Sequence, residues 1–195
     1  MVSTPEDDNR QELDTELMLR VRRGDALAMR LLVSRYQDAV YGMARRMLPD
    51  SGEAEDLAQR TFIRVWKAAG SYEASAKFTT WLFTILKNLV FNETRRQKRK
   101  PVSSLDERAE QGWCPADGAS PPPDEALRQK ELEEVIERAL AELPDKARMA
   151  VQLRRFQNMN YEEIAAVLEM SVPAVKSLLF RTRQSLRETL SDYLR

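Results

Sequence analysis

Residues 78–100, FTTWLFTILKNLVFNETRRQKRK, are the stretch on which the prediction of the fold rests. The stretch begins with apolar residues and ends in a run of cations. On a helix of about 3.6 residues per turn, these residues form an aliphatic face typical of a helical core. That face consists of Leu82, Ile85, Leu86 and Leu89. A second stripe joins an indole, two amides and two guanidiniums: Trp81, Asn88, Asn92, Arg95 and Arg99. Single-stranded nucleic acid binds rings that stack, amides and cations, but a solvated polar face explains this stretch equally well.

The composition limits the classes of function that are open to the chain. Its 195 residues suffice for one or two small domains, and its formal net charge is zero. Any nucleic-acid binding must therefore come from local patches. The single Cys114 forms no internal disulfide, and without histidine the chain lacks both a zinc site and the commonest general base. We expect no metal, no cofactor and no enzymatic activity.

No part of the sequence predicts a membrane segment. No apolar run reaches the ~18 residues that a membrane span requires. The N-terminus, MVSTPEDDNRQE, is acidic and polar, unlike a signal peptide. We therefore expect a cytoplasmic protein without membrane insertion.

Helical periodicity runs through both halves of the chain, and no segment alternates with a period of two residues. Before residue 78 we predict helices over residues 13–23, 26–47 and 50–69, with a frayed N-terminus. Asp50 and Glu53 resemble a capping box at the start of the third helix. A polar loop, residues 70–77, precedes the fourth helix. The predicted fold class is all-α.

The sequence changes character over residues 101–126. The segment VSSLDERAEQGWCPADGASPPPDE contains a triple proline, two glycines and six acidic residues against one arginine. Prolines and like charges extend a chain, and a plain spacer is the simplest interpretation. We predict a flexible acidic linker that joins two small helical domains, residues 11–100 and residues 127–195.

The C-terminal domain ends in a helix-turn-helix signature, NYEEIAAVLEMSVPAVKSLLFRTRQSLRETL. Asn160 and Glu163 form a predicted capping box. The turn at residues 169–171 leads into a longer basic helix that Ser171 is expected to cap. The alternative is a structural three-helix element whose basic residues serve only solubility.

The phase of that longer helix separates a buried face from an exposed face. The predicted buried residues are Val172, Val175, Leu179, Leu186 and Leu190. The opposite face and its flanks carry Lys176, Ser177, Phe180, Arg181, Gln184 and Arg187. An exposed phenylalanine among cations suits a DNA major groove, where thymine methyls, guanine edges and phosphates lie close together.

Three motifs together resemble an extracytoplasmic-function (ECF) sigma factor, the smallest class of the housekeeping sigma family. The resemblance covers about residues 13–100, as sigma region two, and residues 127–193, as region four. EDLAQRTFIRVWK resembles the helix that docks on RNA polymerase. FTTWLFTILKNLVFNETRR resembles the segment that captures and melts the minus-ten element. LPDKARMAVQLRRFQNMNYEEIAAVLEMSVPAVKSLLFRTRQSL resembles the helices that read the minus-thirty-five element.

The resemblance implies partners and residue roles. The partners are core RNA polymerase (its β′ clamp helices and β flap), promoter DNA and an anti-sigma factor. The polymerase-binding residues would be Asp56, Gln59, Arg60 and Arg64. The melted minus-ten strand would meet Lys77, Trp81, Asn88, Asn92, Arg95 and Arg96, with a flipped base in the loop 70–77. The minus-thirty-five duplex would meet Lys176, Ser177, Phe180, Arg181 and Arg183.

Two positions of the recognition helix depart from the family pattern. The family usually reads Gly-Thr-Val-Lys/Arg-Ser-Arg where this chain reads PAVKSL. Ala174 replaces the threonine and Leu178 replaces the arginine. Two phosphate or base contacts are therefore missing, and we expect an upstream element that is unusual or weakly held.

Two other classes of function remain open from the residues. A conventional helix-turn-helix regulator would act without polymerase docking and bind a palindrome as a dimer, but it offers no reason for the Trp-Asn-Arg stripe. A protein-interaction adaptor would have charged faces that are only solvated. Size-exclusion chromatography with and without core polymerase distinguishes all three classes.

Overall fold

The computed structural model describes residues 5–99, residue 132 and residues 135–191, and these ranges contain helices and no strand. The helices are α1 (Pro5–Arg22), α2 (Ala26–Met47), α3 (Ser51–Ala68), α4 (Phe78–Arg99), α5 (residues 135–141), α6 (Asp145–Phe156), α7 (Tyr161–Leu168) and α8 (Val172–Ser191). A short 3-10 helix, Ala69–Ser71, follows α3. The all-α prediction is confirmed, whereas the predicted linker, with Cys114, lies outside the described residues.

The first helix is longer than predicted, because it begins at Pro5 and not at residue 13. Residues 5–12 carry few apolar side chains, so a prediction based on hydrophobic periodicity could not detect this part of the helix. The chain reverses at Gly24, whose φ of +89° favours glycine. Asp25 then accepts hydrogen bonds from two backbone N–H groups of the next turn, at 2.8 and 3.0 Å, and so begins α2.

Helices α1 to α4 share one core. The face of α4 that enters it is confirmed at Leu82, Leu86 and Leu89, while Ile85 is only half-buried. The core also contains Met18, Leu32, Met43, Leu57, Phe78 and Phe83. These large side chains fix α4 against α2 and α3, which positions the opposite side of α4 toward solvent.

A polar cluster joins α1 to α2 inside this core. Asp14 is only 2% exposed, and its carboxylate accepts hydrogen bonds from Arg35 and Tyr36. Burial and the neighbouring Asp14 raise the pKa of Tyr36 above its usual value, so its hydroxyl remains a donor. Because a buried carboxylate needs such partners, the cluster specifies how α1 lies on α2.

Helices α6, α7 and α8 form the helix-turn-helix around a smaller core. Its buried side chains include Met149, Leu153, Ile164, Val167, Leu168, Val175 and Leu179. The predicted capping box is confirmed: Asn160 Oδ1 accepts the Glu163 N–H at 2.8 Å, and Glu163 Oε2 accepts the Asn160 N–H at 2.8 Å. The turn after α7 places Glu169 in the left-handed region, with φ of +54°.

The two halves of the chain contact each other directly. Helix α7 packs along α4, and α6 packs against α2. Arg148 donates a hydrogen bond to the Met47 carbonyl at 3.0 Å, and the Arg46 guanidinium lies 3.8 Å from the Phe156 ring centroid. The pattern of a single helix indicates which face is buried but not which element covers it, so this contact was not predicted.

Candidate nucleic-acid interface

The indole of Trp81 is half-buried in a group of aromatic rings at the start of α4. Its ring centroid lies 5.3 Å from that of Tyr72 and 6.4 Å from that of Phe78. Tyr36 extends the group, 5.3 Å from Phe78. Tilted and edge contacts of this kind hold a ring in one orientation. Trp81 therefore offers a fixed, partly accessible surface on which a nucleobase can stack.

Beyond Trp81, α4 presents a polar stripe to solvent. The stripe consists of Asn88, Asn92, Arg95 and Arg99, all of them exposed. Together with Trp81 they lie along one side of the helix over roughly 27 Å, at 1.5 Å per residue. The structure thus brings together the ring, the amides and the guanidiniums of the predicted stripe.

Arg96, another predicted minus-ten residue, points away from this stripe toward α3. Its guanidinium lies 2.6 Å from Glu93 and 3.3 Å from Glu53. The hydrogen bond and the charge of Glu93 raise the pKa of Arg96. The Glu53 carboxylate accepts hydrogen bonds from Arg96 and Gln97 and does not complete the predicted capping box. Asp50 alone caps α3, where it accepts the Glu53 N–H at 2.7 Å.

Two lysines beside the stripe are bound to carboxylates of the C-terminal half. The predicted minus-ten residue Lys77 lies 2.9 Å from Glu163 Oε1. Lys87 lies 2.7 Å from Glu169 Oε1 and is only 4% exposed. The sequence analysis did not identify Lys87. Its position directly after the apolar Leu86 on an amphipathic helix was the one feature that could have indicated its burial.

Helix α8 exposes all five residues that were predicted to meet the duplex: Lys176, Ser177, Phe180, Arg181 and Arg183. They line an open groove of about 580 Å³ together with Tyr161 of α7. Phe180 is 60% exposed. The Tyr161 ring lies 5.3 Å from the Arg154 guanidinium and 5.6 Å from the Lys176 ammonium. Tyr161 adds an aromatic residue to this face that the helix phase of α8 alone could not reveal.

The opposite face of α8 follows the predicted phase only in part. Val175 and Leu179 are buried, as predicted, and Thr182 is buried as well. The remaining predicted core positions, and both positions that depart from the family pattern, are half-buried: Val172, Ala174, Leu178, Leu186 and Leu190. Ala174 and Leu178 thus bring no polar group to the edge of the exposed face.

A third exposed surface lies on α3. It contains the predicted polymerase-binding residues Asp56, Gln59, Arg60 and Arg64. Arg60 and Asp56 form an ion pair of 3.2 Å. Ile63 and Trp66 lie exposed among them, four and seven residues after Gln59, on one helical face. Apolar side chains inside a polar rim are typical of a protein interface, and their spacing was visible in the sequence.

Within residues 5–99 and 135–191, no group of acidic or cysteine side chains is arranged to hold a metal ion. None of the helices in the described part of the chain is long and apolar enough to cross a membrane. The described surface carries charged and aromatic faces on α3, α4 and α8.

Comparisons with known proteins match both halves of the chain to one family. Residues 32–100 match Sigma-70 region 2, and residues 133–186 match Sigma-70 region 4. The chain is 34% identical over 188 residues to the RNA polymerase sigma-H factor of Pseudomonas aeruginosa, covering 95% of this chain and 97% of that protein. It is equally 34% identical over 188 residues to the ECF RNA polymerase sigma-E factor of Escherichia coli K12, covering 95% and 98%.

Solved structures show the same fold. CnrH in complex with the cytosolic domain of CnrY is 25% identical, with a TM-score of 0.66, over 92% of this chain and 98% of that chain. The sigma factor RpoE of Bartonella quintana, in complex with the anti-sigma factor NepR, is 24% identical with a TM-score of 0.64, over 83% and 96%. Fold and sequence together define a two-region transcription initiation factor. The chain belongs to the ECF family of RNA polymerase sigma factors.

Proposed function

We propose that this sigma factor divides promoter recognition among three exposed faces. The α3 face binds core RNA polymerase, the α4 stripe holds the melted minus-ten strand, and the α8 face reads the minus-thirty-five duplex. The observation that carries this division is the α4 stripe, in which a fixed indole is followed by two exposed amides and two exposed guanidiniums on one side of a helix. This combination binds unpaired bases and their backbone.

The proposed units are residues 11–100, 101–126 and 127–195, as region two, linker and region four. The proposed DNA residues of region two are Lys77, Trp81, Asn88, Asn92, Arg95 and Arg96. Of these, Lys77 and Arg96 are paired with carboxylates in the described structure, so each must exchange a protein partner for a phosphate. Those of region four are Lys176, Ser177, Phe180, Arg181 and Arg183. The protein acts in the cytoplasm without catalysing a reaction.

An anti-sigma factor is the proposed regulator. The Bartonella neighbour was solved with one, and the exposed Ile63 and Trp66 need a cover when polymerase is absent. Affinity capture from unstressed cells is expected to recover such a protein in addition to polymerase subunits. Recovery of polymerase subunits alone would contradict this regulation.

Run-off transcription with core polymerase tests the function directly. On promoters randomised at both elements, the protein is expected to select one pair of sequences, while core polymerase alone selects none. The free protein is expected to bind promoter duplex weakly, because two small cationic faces lose much of their affinity to salt. Tight, specific duplex binding without polymerase would instead favour a conventional helix-turn-helix regulator.

A separate experiment tests polymerase docking through α3. Gln59→Ala with Trp66→Ala is expected to weaken binding to core polymerase, since aromatic residues often dominate protein interfaces. Ser51→Ala, an exposed change on the same helix before the docking motif, is expected to leave it unchanged. If both variants bind core polymerase equally well, the α3 face does not bind polymerase.

A further inference from the structure

Two neighbouring residues of α1, Asp14 and Thr15, contact the hydroxyl groups of two tyrosines. The Asp14 carboxylate accepts a hydrogen bond from the Tyr36 hydroxyl. The Thr15 hydroxyl lies 3.4 Å from that of Tyr72. Tyr36 belongs to α2 and Tyr72 to the loop 70–77, so one turn of α1 connects two separate parts of the N-terminal half.

The rings of these tyrosines contact the two aromatic residues at the start of α4. Tyr36 lies 5.3 Å from Phe78, at an interplanar angle of 60°. Tyr72 lies 6.4 Å from Phe78 and 5.3 Å from Trp81, at angles of 72° and 65°. Phe78 itself lies 6.4 Å from Trp81. The indole that is proposed to stack on a nucleobase thus contacts two rings, and both are connected to α1 through a tyrosine hydroxyl.

The Tyr72 hydroxyl also joins α1 to the loop 70–77. It donates a hydrogen bond to the Ala76 carbonyl at 3.3 Å. A phenol has a single O–H to donate, so the Thr15 hydroxyl is then the donor toward the Tyr72 oxygen. Both distances exceed the roughly 2.5–3.0 Å of a strong O–H···O bond, and we therefore expect a modest effect when either is lost.

Tyr72 is the buried residue of this loop. It is 1% exposed, whereas residues 73–76 are exposed. Its backbone N–H donates to the Ala69 carbonyl at 3.2 Å, which ties the loop to the end of the 3-10 helix. Tyr72 therefore holds the loop from the protein side and leaves residues 73–76 open to solvent.

Helix α1 itself is fixed before any DNA arrives. Its buried Leu17, Met18 and Val21 pack in the core, and the helix contacts α2, α4 and the 3-10 helix. Asp14 and Thr15 lie one turn earlier on the same helix. Sigma-70 region 2 matches this chain only from residue 32 onward, so α1 lies before the matched residues.

We infer that α1 positions the ring of Trp81 for strand opening, with Thr15 and Tyr72 as the positioning residues. This inference rests on the proposed function, in which Trp81 stacks on a base of the minus-ten strand. A ring that is oriented in advance loses less conformational freedom when the base arrives. Because Tyr72 is buried, it acts through the indole and the loop 70–77 and not by touching the strand.

Removing one hydroxyl tests the inference. Tyr72→Phe keeps the ring, and water can replace the lost partner because Ala76 is exposed and Thr15 is half-buried. Holoenzyme with this variant is expected to open a duplex promoter roughly two- to tenfold less, the range that ordering one side chain accounts for. Permanganate reactivity of thymines near the start site measures opening. Transcription from a pre-melted bubble template is expected to stay close to wild type.

The matched control is Tyr41→Phe, which removes the hydroxyl of an exposed tyrosine on α2. It is expected to open the duplex promoter as well as wild type does. Equal opening by Tyr72→Phe and Tyr41→Phe overturns the positioning role. Equal losses on the duplex and bubble templates also overturn it, because the Tyr72 variant is then simply less stable.

Two changes at Thr15 test the contribution of α1. Thr15→Val keeps the size of the side chain and removes its hydroxyl, whereas Thr15→Ser keeps the hydroxyl. Valine is expected to reduce duplex opening about as much as Tyr72→Phe does, and serine is expected to retain wild-type opening. If the valine and serine variants open the promoter equally, α1 does not act through this hydroxyl and the inference is wrong.

A spectroscopic measurement reports on the indole without DNA or polymerase. The chain has three tryptophans, so labelling with 5-fluorotryptophan gives three fluorine resonances, and Trp81→Phe identifies that of Trp81. Tyr72→Phe and Thr15→Val are expected to shift or broaden this resonance, while Tyr41→Phe leaves it in place. An unchanged Trp81 resonance in the first two variants overturns the inference. If wild-type protein fails to direct transcription with core polymerase, the proposed function fails, while the resonance still reports whether α1 orients Trp81.

Discussion

Helices α4 and α8, the two helices proposed to bind DNA, hold their aromatic rings in different ways. Trp81 is held against Tyr72 and Phe78 and is only half-exposed. Phe180 projects from α8 with 60% of its surface exposed. A ring that receives a flipped or terminal base gains from being fixed beforehand, since no ordering cost remains at binding. A ring that touches thymine methyls in an intact groove needs reach and not rigidity.

The two halves also differ in what stabilises them. The N-terminal half buries a carboxylate, Asp14, with Arg35 and Tyr36 around it. The C-terminal half has a smaller core and relies on the capping box of Asn160 and Glu163 to begin α7. We therefore expect mutations to act on opening and core stability in the first half, and on duplex affinity and local helix stability in the second.

The largest expected effect separates melting from upstream recognition. Trp81→Ala with Asn88→Ala is expected to abolish open-complex formation, because base–aromatic stacking contributes about 1–3 kcal/mol per base and the paired duplex is otherwise favoured. Binding to core polymerase and to the upstream element should persist. Permanganate reactivity of thymines near the start site measures opening, and a pre-melted bubble template should restore transcription. Unchanged thymine reactivity in the double variant would show that α4 does not take part in melting.

The second effect concerns the buried carboxylate of the N-terminal half. Asp14→Ala is expected to lower the free energy of unfolding by about 2–4 kcal/mol. Most of this loss comes from the buried Tyr36 hydroxyl, which loses its acceptor. The ion pair with the partly exposed Arg35 stabilises the fold less, because solvent screens it. Urea denaturation followed by circular dichroism measures the change. The exposed Asp38→Ala is the matched control and should shift the midpoint little. Similar midpoints for both variants would show that the cluster does not stabilise the fold.

The third effect concerns α8, the helix that is proposed to read the duplex. Arg181→Ala is expected to weaken binding of the upstream element by about 1–3 kcal/mol and to relax base preference there. Lys176→Ala should weaken binding more evenly across sequences and reduce the salt dependence, as loss of a phosphate contact does. Competition binding of holoenzyme to upstream variants at two salt concentrations distinguishes them. Unaltered promoter use by both variants would remove α8 from recognition.

The smallest effect concerns the cap of α7. Asn160→Ala is expected to destabilise the C-terminal half by about 1 kcal/mol, with little effect on the N-terminal core. Hydrogen exchange of the first α7 amides measures it locally. Asn160→Asp keeps an acceptor for the Glu163 N–H and should restore protection. If these amides exchange at the same rate in the alanine and aspartate variants, the side-chain cap does not stabilise the start of α7.

Helix periodicity predicted most of this fold because each amphipathic face is encoded locally. The bounds of α2 and the capping box at Asn160 follow the prediction closely. The early start of α1 did not, because residues 5–12 have too few apolar side chains to show a face. At Glu53 the predicted capping box did not form, because the carboxylate instead accepts hydrogen bonds from Arg96 and Gln97 of α4, which no local pattern includes.

The same limit applies to the candidate site. The exposure of Lys176, Ser177, Phe180 and Arg181 followed from helix phase, whereas Arg183 was named only through the family resemblance. The exposure of Asn88, Asn92 and Arg95 also followed from helix phase. The pairing of Lys77 and Lys87 with α7 and its turn was not predictable, because it depends on how two separately encoded domains meet. Tyr161 joins the α8 groove for a similar reason: it lies on a different helix.

Glu169 sits at a backbone position that favours glycine, since its φ is +54°. Selection for stability alone would therefore place glycine there, and a glutamate codon becomes a glycine codon by a single base change. Such a variant would relax the turn of the helix-turn-helix and at the same time remove the partner of Lys87. The gain in backbone freedom would be offset by the loss of the carboxylate that faces the buried Lys87. Glutamate at position 169 therefore gives up a favourable backbone conformation for the charge that it presents to α4.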